Sequence, residues 1–422
     1  MMLMRLVGGV ALVCAVSSLA IASAQDSGGM FNRDRNVSVM ERVRPEYRSG
    51  GIQSGAFVYS PVLNTQLELN DNIFATGSNE QSDGILVFSP SLNVVSTWSR
   101  HSFSADASLS RREYFDFSDE SVTNASVSSD VGLDIGRGYT AGFGASYDSS
   151  HEPRTSAGAA GRAADPISYD TSGVYATLRR EVGRTRISGG FALNSFDYDD
   201  ALLNNGVVAD QDDRDRDEVL ADGRVDYAIS PDTAIFGRVR YTNQNYTNPG
   251  LALARDQEGF TFDVGASFDL SNLARGELGI GYLTRSFDET AFDDVSGLSV
   301  DGQLEWFPTP LITVTLAAGR SVQAAAIANS PAYVSTTISA GADYELRRNI
   351  ILSAQASFGD DDYEGVDRND RRSDLSLRAN YLMNRYVGFS VNFLNSNLDS
   401  TGLSGQPDFT VNRLLFGVVL QR

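Results

Sequence analysis

The stretch Val334-Ser335-Thr336-Thr337-Ile338-Ser339-Ala340-Gly341-Ala342-Asp343-Tyr344-Glu345 alternates strictly between two kinds of side chain. Val334, Thr336, Ile338, Ala340, Ala342 and Tyr344 fall on one side. Ser335, Thr337, Ser339, Gly341, Asp343 and Glu345 fall on the other. A period of two belongs to a β-strand, whose successive side chains point to opposite faces. The run is long for a soluble sheet, where roughly five or six residues are usual. It suits a tilted strand crossing a bilayer, which needs about 9–11 residues.

The same pattern recurs in both directions along the chain. Val219, Ala221, Gly223, Val225 and Tyr227 alternate with Glu218, Leu220, Asp222, Arg224 and Asp226; Phe103, Ala105, Ala107 and Leu109 alternate with Ser104, Asp106, Ser108 and Ser110. Strands are expected near residues 57–69, 83–97, 102–114, 121–135, 139–148, 168–180, 184–196, 217–228 and 233–245. Nine more are expected near 258–269, 275–287, 296–306, 311–320, 332–345, 349–358, 372–382, 386–394 and 409–421. Their connections alternate in length. Short ones such as Ser99-Arg100, Gly136-Arg137-Gly138, Glu181-Val182-Gly183, Ser230-Pro231-Asp232 and Pro308-Thr309-Pro310 separate nine long polar ones, at 70–82, 115–120, 149–167, 197–216, 246–257, 288–295, 321–331, 359–371 and 395–408. Eight short turns against nine long loops imply an even strand count. The expected fold is all-β: a transmembrane antiparallel up-and-down barrel of about 18 strands (16–18), with short periplasmic turns, long external loops and both termini periplasmic.

The ends and the composition agree with export. Met1 to Arg5 form a short positive region, Leu6 to Ile21 an apolar one, and Ala22-Ser23-Ala24 precedes Gln25 as a small-residue cleavage site. We therefore expect a cleaved signal peptide at 1–24, a periplasmic N-terminal segment at 25–56 and the barrel at 57–422. The only cysteine, Cys14, lies inside the apolar region, so the mature chain would have no disulfide, thiol nucleophile or cysteine metal site. Residues 25–56 carry Arg33, Arg35, Arg42, Arg44 and Arg48 and are expected to be a flexible tether. The chain contains no lysine, and its 54 acidic against 34 basic residues give a formal charge of −20, which disfavours nucleic acid as a partner. Trp98, Tyr139, Tyr227, Trp306 and Tyr386 cluster beside short turns, and Tyr114, Tyr147, Tyr241, Phe287 and Phe358 near long loops, as two interfacial belts would.

Several stretches resemble the β-barrel porin type 2 family of Gram-negative outer-membrane proteins. They are Arg44-Pro45-Glu46-Tyr47 with Gly51-Ile52 and Gly55-Ala56-Phe57; Leu69-Asn70-Asp71-Asn72-Ile73-Phe74; Ser89-Pro90-Ser91-Leu92 with Trp98-Ser99-Arg100-His101; Glu305-Trp306-Phe307-Pro308-Thr309-Pro310; and Asp360-Asp361-Asp362-Tyr363-Glu364-Gly365 with Tyr381-Leu382-Met383-Asn384-Arg385. The resemblance implies a porin-like protein of the cell outer membrane. Some relatives are encoded with exopolysaccharide synthesis and export machinery, which implies a polymer exit route working with periplasmic export proteins. The other partners it implies are outer-membrane lipids, lipopolysaccharide and the barrel-assembly machinery. The C-terminus departs from the common pattern, ending Leu420-Gln421-Arg422 without a terminal aromatic.

Function should reside on the inward face. An arginine facing lipid near the midplane would cost roughly 2–4 kcal/mol, so strand charges are assigned to the lumen. The candidates are Asp106, Arg112 and Asp130; Asp222, Arg224 and Asp226; Arg238, Arg240 and Asp263; Asp301 and Glu305; and Asp343, Glu345 and Arg378, with Asp134 and Asp269 beside them. No catalytic, cofactor or metal site is expected. His101 sits at a short turn, and His151, beside Glu152, is the only external candidate base. The acidic runs at 210–218 and 360–364 are expected to be solvated loops; the second superficially resembles a calcium loop but has Arg371 at its twelfth position. An adhesin or structural surface protein acting through the long loops is the alternative to a channel.

Overall fold

The computed structural model describes residues 37–156, 163–248, 253–270, 273–327 and 330–422. The expected signal peptide and residues 25–36 lie outside the described residues. Eighteen strands follow in chain order: β1 Phe57–Asn70, β2 Asp83–Ser96, β3 Ser102–Tyr114, β4 Val122–Gly136, β5 Tyr139–His151, β6 Ser168–Val182, β7 Thr185–Tyr198, β8 Arg216–Ser230 and β9 Thr233–Tyr246. The second half is β10 Gln257–Leu270, β11 Ala274–Phe287, β12 Val295–Thr309, β13 Ile312–Ala324, β14 Ala332–Arg347, β15 Ile350–Tyr363, β16 Asn369–Leu382, β17 Val387–Thr401 and β18 Phe409–Gln421. Each pairs antiparallel with the next, and β18 returns to β1 in the register Val62↔Gln421 to Asn70↔Arg413. Closure leaves no open sheet edge. An extra strand, Ile52–Ser54, folds back on Phe57–Tyr59, and a two-residue ladder joins Ala201–Leu202 to Val208–Ala209. Among the described residues there is no α-helix.

The wall is inverted relative to a soluble domain. The apolar rows point outward: Val225, Ile235, Phe262, Val264, Leu278, Ile280, Tyr282, Ile338 and Leu377 are all exposed. Such a continuous apolar surface is unfavourable in water and belongs against lipid. The buried apolar clusters are small and gather near the long-loop end, as in Ile73, Ile85 and Val87, or Leu283, Phe287, Phe292 and Val295.

Short turns follow local chemistry. In the β4–β5 turn, Arg137 and Gly138 both take positive φ, at 54° and 79°, the conformation that matches a two-residue hairpin to strand twist. A Cβ on Gly138 would lie 2.3 Å from the Glu181 carbonyl oxygen, so the next hairpin packs directly on it.

The structure corrects several boundaries. β15 runs to Tyr363 and β17 to Thr401, where loops were expected from 359 and 395. Above the apolar band the strands continue with polar residues that still complete the backbone ladder. Asn395, Asn397 and Asn412 bond side chain to side chain there, Asn397 to Asn395 at 2.7 Å and Asn395 to Asn412 at 2.8 Å. Polarity alone therefore misplaced the strand ends. The run 360–364 is mostly strand and not a calcium loop. Part of the run 210–218 is buried as well, with Arg214 and Arg216 6% and 4% exposed. The expected free tether is also corrected: residues 38–47 are fastened to the barrel wall.

Candidate functional site: the lumen and its ends

Register decides which side chains face inward. Asp222, Arg224 and Asp226 of β8 lie opposite Arg240, Arg238 and Phe236 of β9, on one face. Arg238 and Arg240 lie opposite Asp263 and Thr261 of β10. That face must be concave, because its contacts skip strands: Arg224 on β8 reaches Glu277 on β11 at 2.7 Å, and Arg238 on β9 reaches Asp301 on β12 at 2.8 Å. Neighbouring strands are about 4.8 Å apart. On the convex side, chains three strands apart diverge and could not meet.

The best-shielded group is Asp263, whose side chain has no exposed surface. It accepts bonds from Arg238 at 3.1 Å, Arg240 at 2.9 Å and the Ser299 hydroxyl at 2.8 Å. Arg224 is held by Asp226 as well as Glu277, and its guanidinium lies 3.9 Å over the Phe236 ring. Phe236 in turn lies against Gly265 and Gly279, where a Cβ would stand 2.4 Å and 3.3 Å from its Cζ. Inner-face glycines on β10 and β11 thus make room for a ring that carries a cation.

The remaining candidates fall into separate groups. Arg112 pairs with Glu68 at 2.9 Å, Asp106 accepts from Asn93 at 2.8 Å, and Asp130 accepts the Tyr175 hydroxyl. Glu305 binds Arg275. Asp343 accepts the Ser353 hydroxyl at 2.5 Å, and Arg378 donates to Asn392 at 2.7 Å. Glu345 binds both Arg42 and Arg44, at 2.9 and 2.8 Å. Asp134 lies near Arg100, 3.9 Å away, and Asp269 faces Arg275 in register. Sequence reasoning missed Glu68, Tyr175, Arg275 and Glu277. Alternation in Leu67-Glu68-Leu69 and Arg275-Gly276-Glu277 carried the signal, weakened in the second by Gly276.

In the short-turn half the lumen holds a cavity of about 770 Å³, bordered by Asp130, Tyr175, Arg179, Asp222, Arg224, Arg238, Arg275, Glu277 and Asp301. The long-loop end is drawn in by arginines that tie neighbouring loops together. Arg154 binds Glu120 at 2.5 Å. Arg214 binds Glu152 and lies 4.0 Å over Tyr198. Arg255, 1% exposed, donates to the Ala325 carbonyl at 3.0 Å, pairs with Asp213 at 3.2 Å and lies 4.7 Å over Tyr246. A fully buried arginine is costly unless its donors are matched, so these contacts hold the mouth in one arrangement. His151 ends β5 with Nδ1 2.9 Å from Asn124, while Glu152 is engaged by Arg214. The carboxylates of Asp200, Asp210 and Asp212 approach within 4.8 Å of one another at the long-loop end.

A family model described as "Putative beta-barrel porin 2" matches residues 44–422. No curated relative matches the sequence. Solved barrels overlie it loosely. A mutant of the ferric enterobactin receptor PfeA of Pseudomonas aeruginosa is 8% identical, with TM-score 0.49 over 88% of this chain and 81% of that one. The siderophore receptor PiuA of Acinetobacter baumannii is 11% identical, with TM-score 0.46 over 89% and 82%. Pseudomonas aeruginosa OpdK, solved with vanillate, is 11% identical, with TM-score 0.43 over 86% and 99%. Likenesses this loose do not speak to any ligand.

Proposed function

The chain belongs to the β-barrel porin 2 family, and from that membership we propose that it is an outer-membrane channel for small hydrophilic solutes. The observation that carries the reading is the charged, strand-skipping inner face around the 770 Å³ cavity. Barrels of about 16–18 strands leave an aqueous interior unless something fills it. In this reading the signal peptide directs export, and the short turns and both termini face the periplasm. The loops tied by Arg154, Arg214 and Arg255 face outside.

The mechanism is passive. Solute enters through the loop mouth, and paired charges along the wall replace part of its hydration shell. Each arginine bordering the cavity works beside a carboxylate, so the wall offers donors and acceptors to a polar solute without a strong net field. A passage narrowed by loops supports small solutes over a polysaccharide strand.

Folded protein in a planar bilayer should give discrete conductance steps, and liposomes containing it should swell in small sugars faster than in larger oligosaccharides. Equal swelling in long oligosaccharides would favour the polymer route instead, and repeated absence of both signals from folded protein would remove the channel reading.

A further inference from the structure

We propose that residues 38–47 form a strap that lies inside the short-turn mouth of the barrel and sets its bore, fastened chiefly at Glu345; this rests on the channel reading. Every anchor is on the inner face or at the turn end. The Val39 amide donates to the Thr313 hydroxyl of β13 at 2.9 Å, and Val39 is fully buried. Glu41 pairs with Arg275 of β11 at 2.8 Å. Arg42 and Arg44 converge on one oxygen of Glu345 in β14. Gln421 of β18 donates to the Tyr47 carbonyl at 3.0 Å.

Length shows the path. From β11 to β18 is seven strand spacings along the wall, about 34 Å. Six residues from Glu41 to Tyr47 span at most ~20 Å. The main chain therefore runs inside the wall along the β11–β18 side of the mouth, with the Arg275 and Gln421 side chains reaching in to meet it and Glu345 fastening it between them. It then re-enters the wall through Ile52–Ser54 paired on β1.

The strap is organised for this position. Ser38 and Glu41 bond reciprocally, the Glu41 amide to the Ser38 hydroxyl at 3.2 Å and the Ser38 amide to the Glu41 carboxylate at 3.3 Å. The Arg42 amide bonds the Ser38 carbonyl at 3.0 Å. Arg44 also donates to the Val39 carbonyl at 2.8 Å, folding the strap over the Glu345 carboxylate. Arg44 is 7% and Glu345 5% exposed, so this is a desolvated latch and not a surface pair. Removing one partner of such a latch strands the other. Arg275 also borders the lumen cavity and binds Glu305, which places the strap at the cavity's edge.

The test uses the full chain, whose only cysteine, Cys14, precedes the strap. A V39C/T313C pair joins two positions already in contact, the Val39 amide lying 2.9 Å from the Thr313 hydroxyl. Oxidation should lock the strap, and single-channel conductance should rise at least about twofold when the disulfide is reduced in a Glu345→Gln background. An R42Q/R44Q chain, which keeps Glu345, should rise in the same sense. A pair that never cross-links in the folded barrel overturns the docked strap. Equal conductance in locked, reduced and Glu345→Gln states overturns its control of the bore. Full cross-linking without channels in any state overturns the proposal through the channel reading, leaving the strap's position intact.

Discussion

Asp263 shows what a single side chain contributes to this lumen. Its carboxylate has no exposed surface and gathers two guanidiniums and a hydroxyl. Asp263→Ala should destabilise the barrel by about 3 kcal/mol, because a buried pair that loses one partner leaves charge uncompensated. Asp301, 46% exposed, shares Arg238, yet its replacement by Asn should cost less than about 1 kcal/mol. Urea unfolding in micelles, followed by the fluorescence of Trp98 and Trp306, compares the two; equal losses would refute the burial argument. Glu41 makes a different kind of prediction. Burial pushes its carboxyl up, but the hydrogen bond and charge of Arg275, with smaller help from Ser38, outweigh burial and hold it below its ordinary value. Glu305 shares the same Arg275. A lowered carboxyl supports docking above its unfolded pKa, and that support is lost as pH falls through the folded value. Protection of the Val39 amide against hydrogen exchange should hold from pH 8 to 5 and fall only below the ordinary glutamate value of about 4.3. A loss centred near neutrality would contradict this.

Strands carry the membrane argument. Ile280, midway along β11, points outward and is 52% exposed. Ile280→Arg should cost roughly 2–4 kcal/mol in lipid, as expected near the midplane. A cost near zero in refolding titrations into bilayers would place β11 outside the apolar band. At this level the sequence was legible wherever lipid and lumen impose opposite chemistries on alternate residues, as in β8 and β14. It was misleading at the strand tips. There Asn395, Asn397 and Asp361 are polar like loop residues but still sit in ladders, because backbone pairing does not need an apolar face. The same ambiguity hid the buried Arg214 and Arg216 within what looked like a solvated acidic run.

For the whole barrel, stability depends on the β1–β18 seam, the pairing most distant in sequence. Deleting residues 409–422 should abolish the compact, heat-modifiable band that closed barrels give on electrophoresis, since both β1 and β17 would become open edges. A compact band that survives the deletion would show closure elsewhere. The alternation and the rhythm of short and long connections were sufficient for strand number and antiparallel order, since each follows from local chemistry repeated along the chain. Partners were another matter. Which arginine meets which carboxylate across three strands, how Arg255 binds the Ala325 carbonyl, and where residues 38–47 come to rest depend on curvature and closure. Those bring together residues as distant as Arg44 and Glu345, and no spacing within one strand encodes that approach.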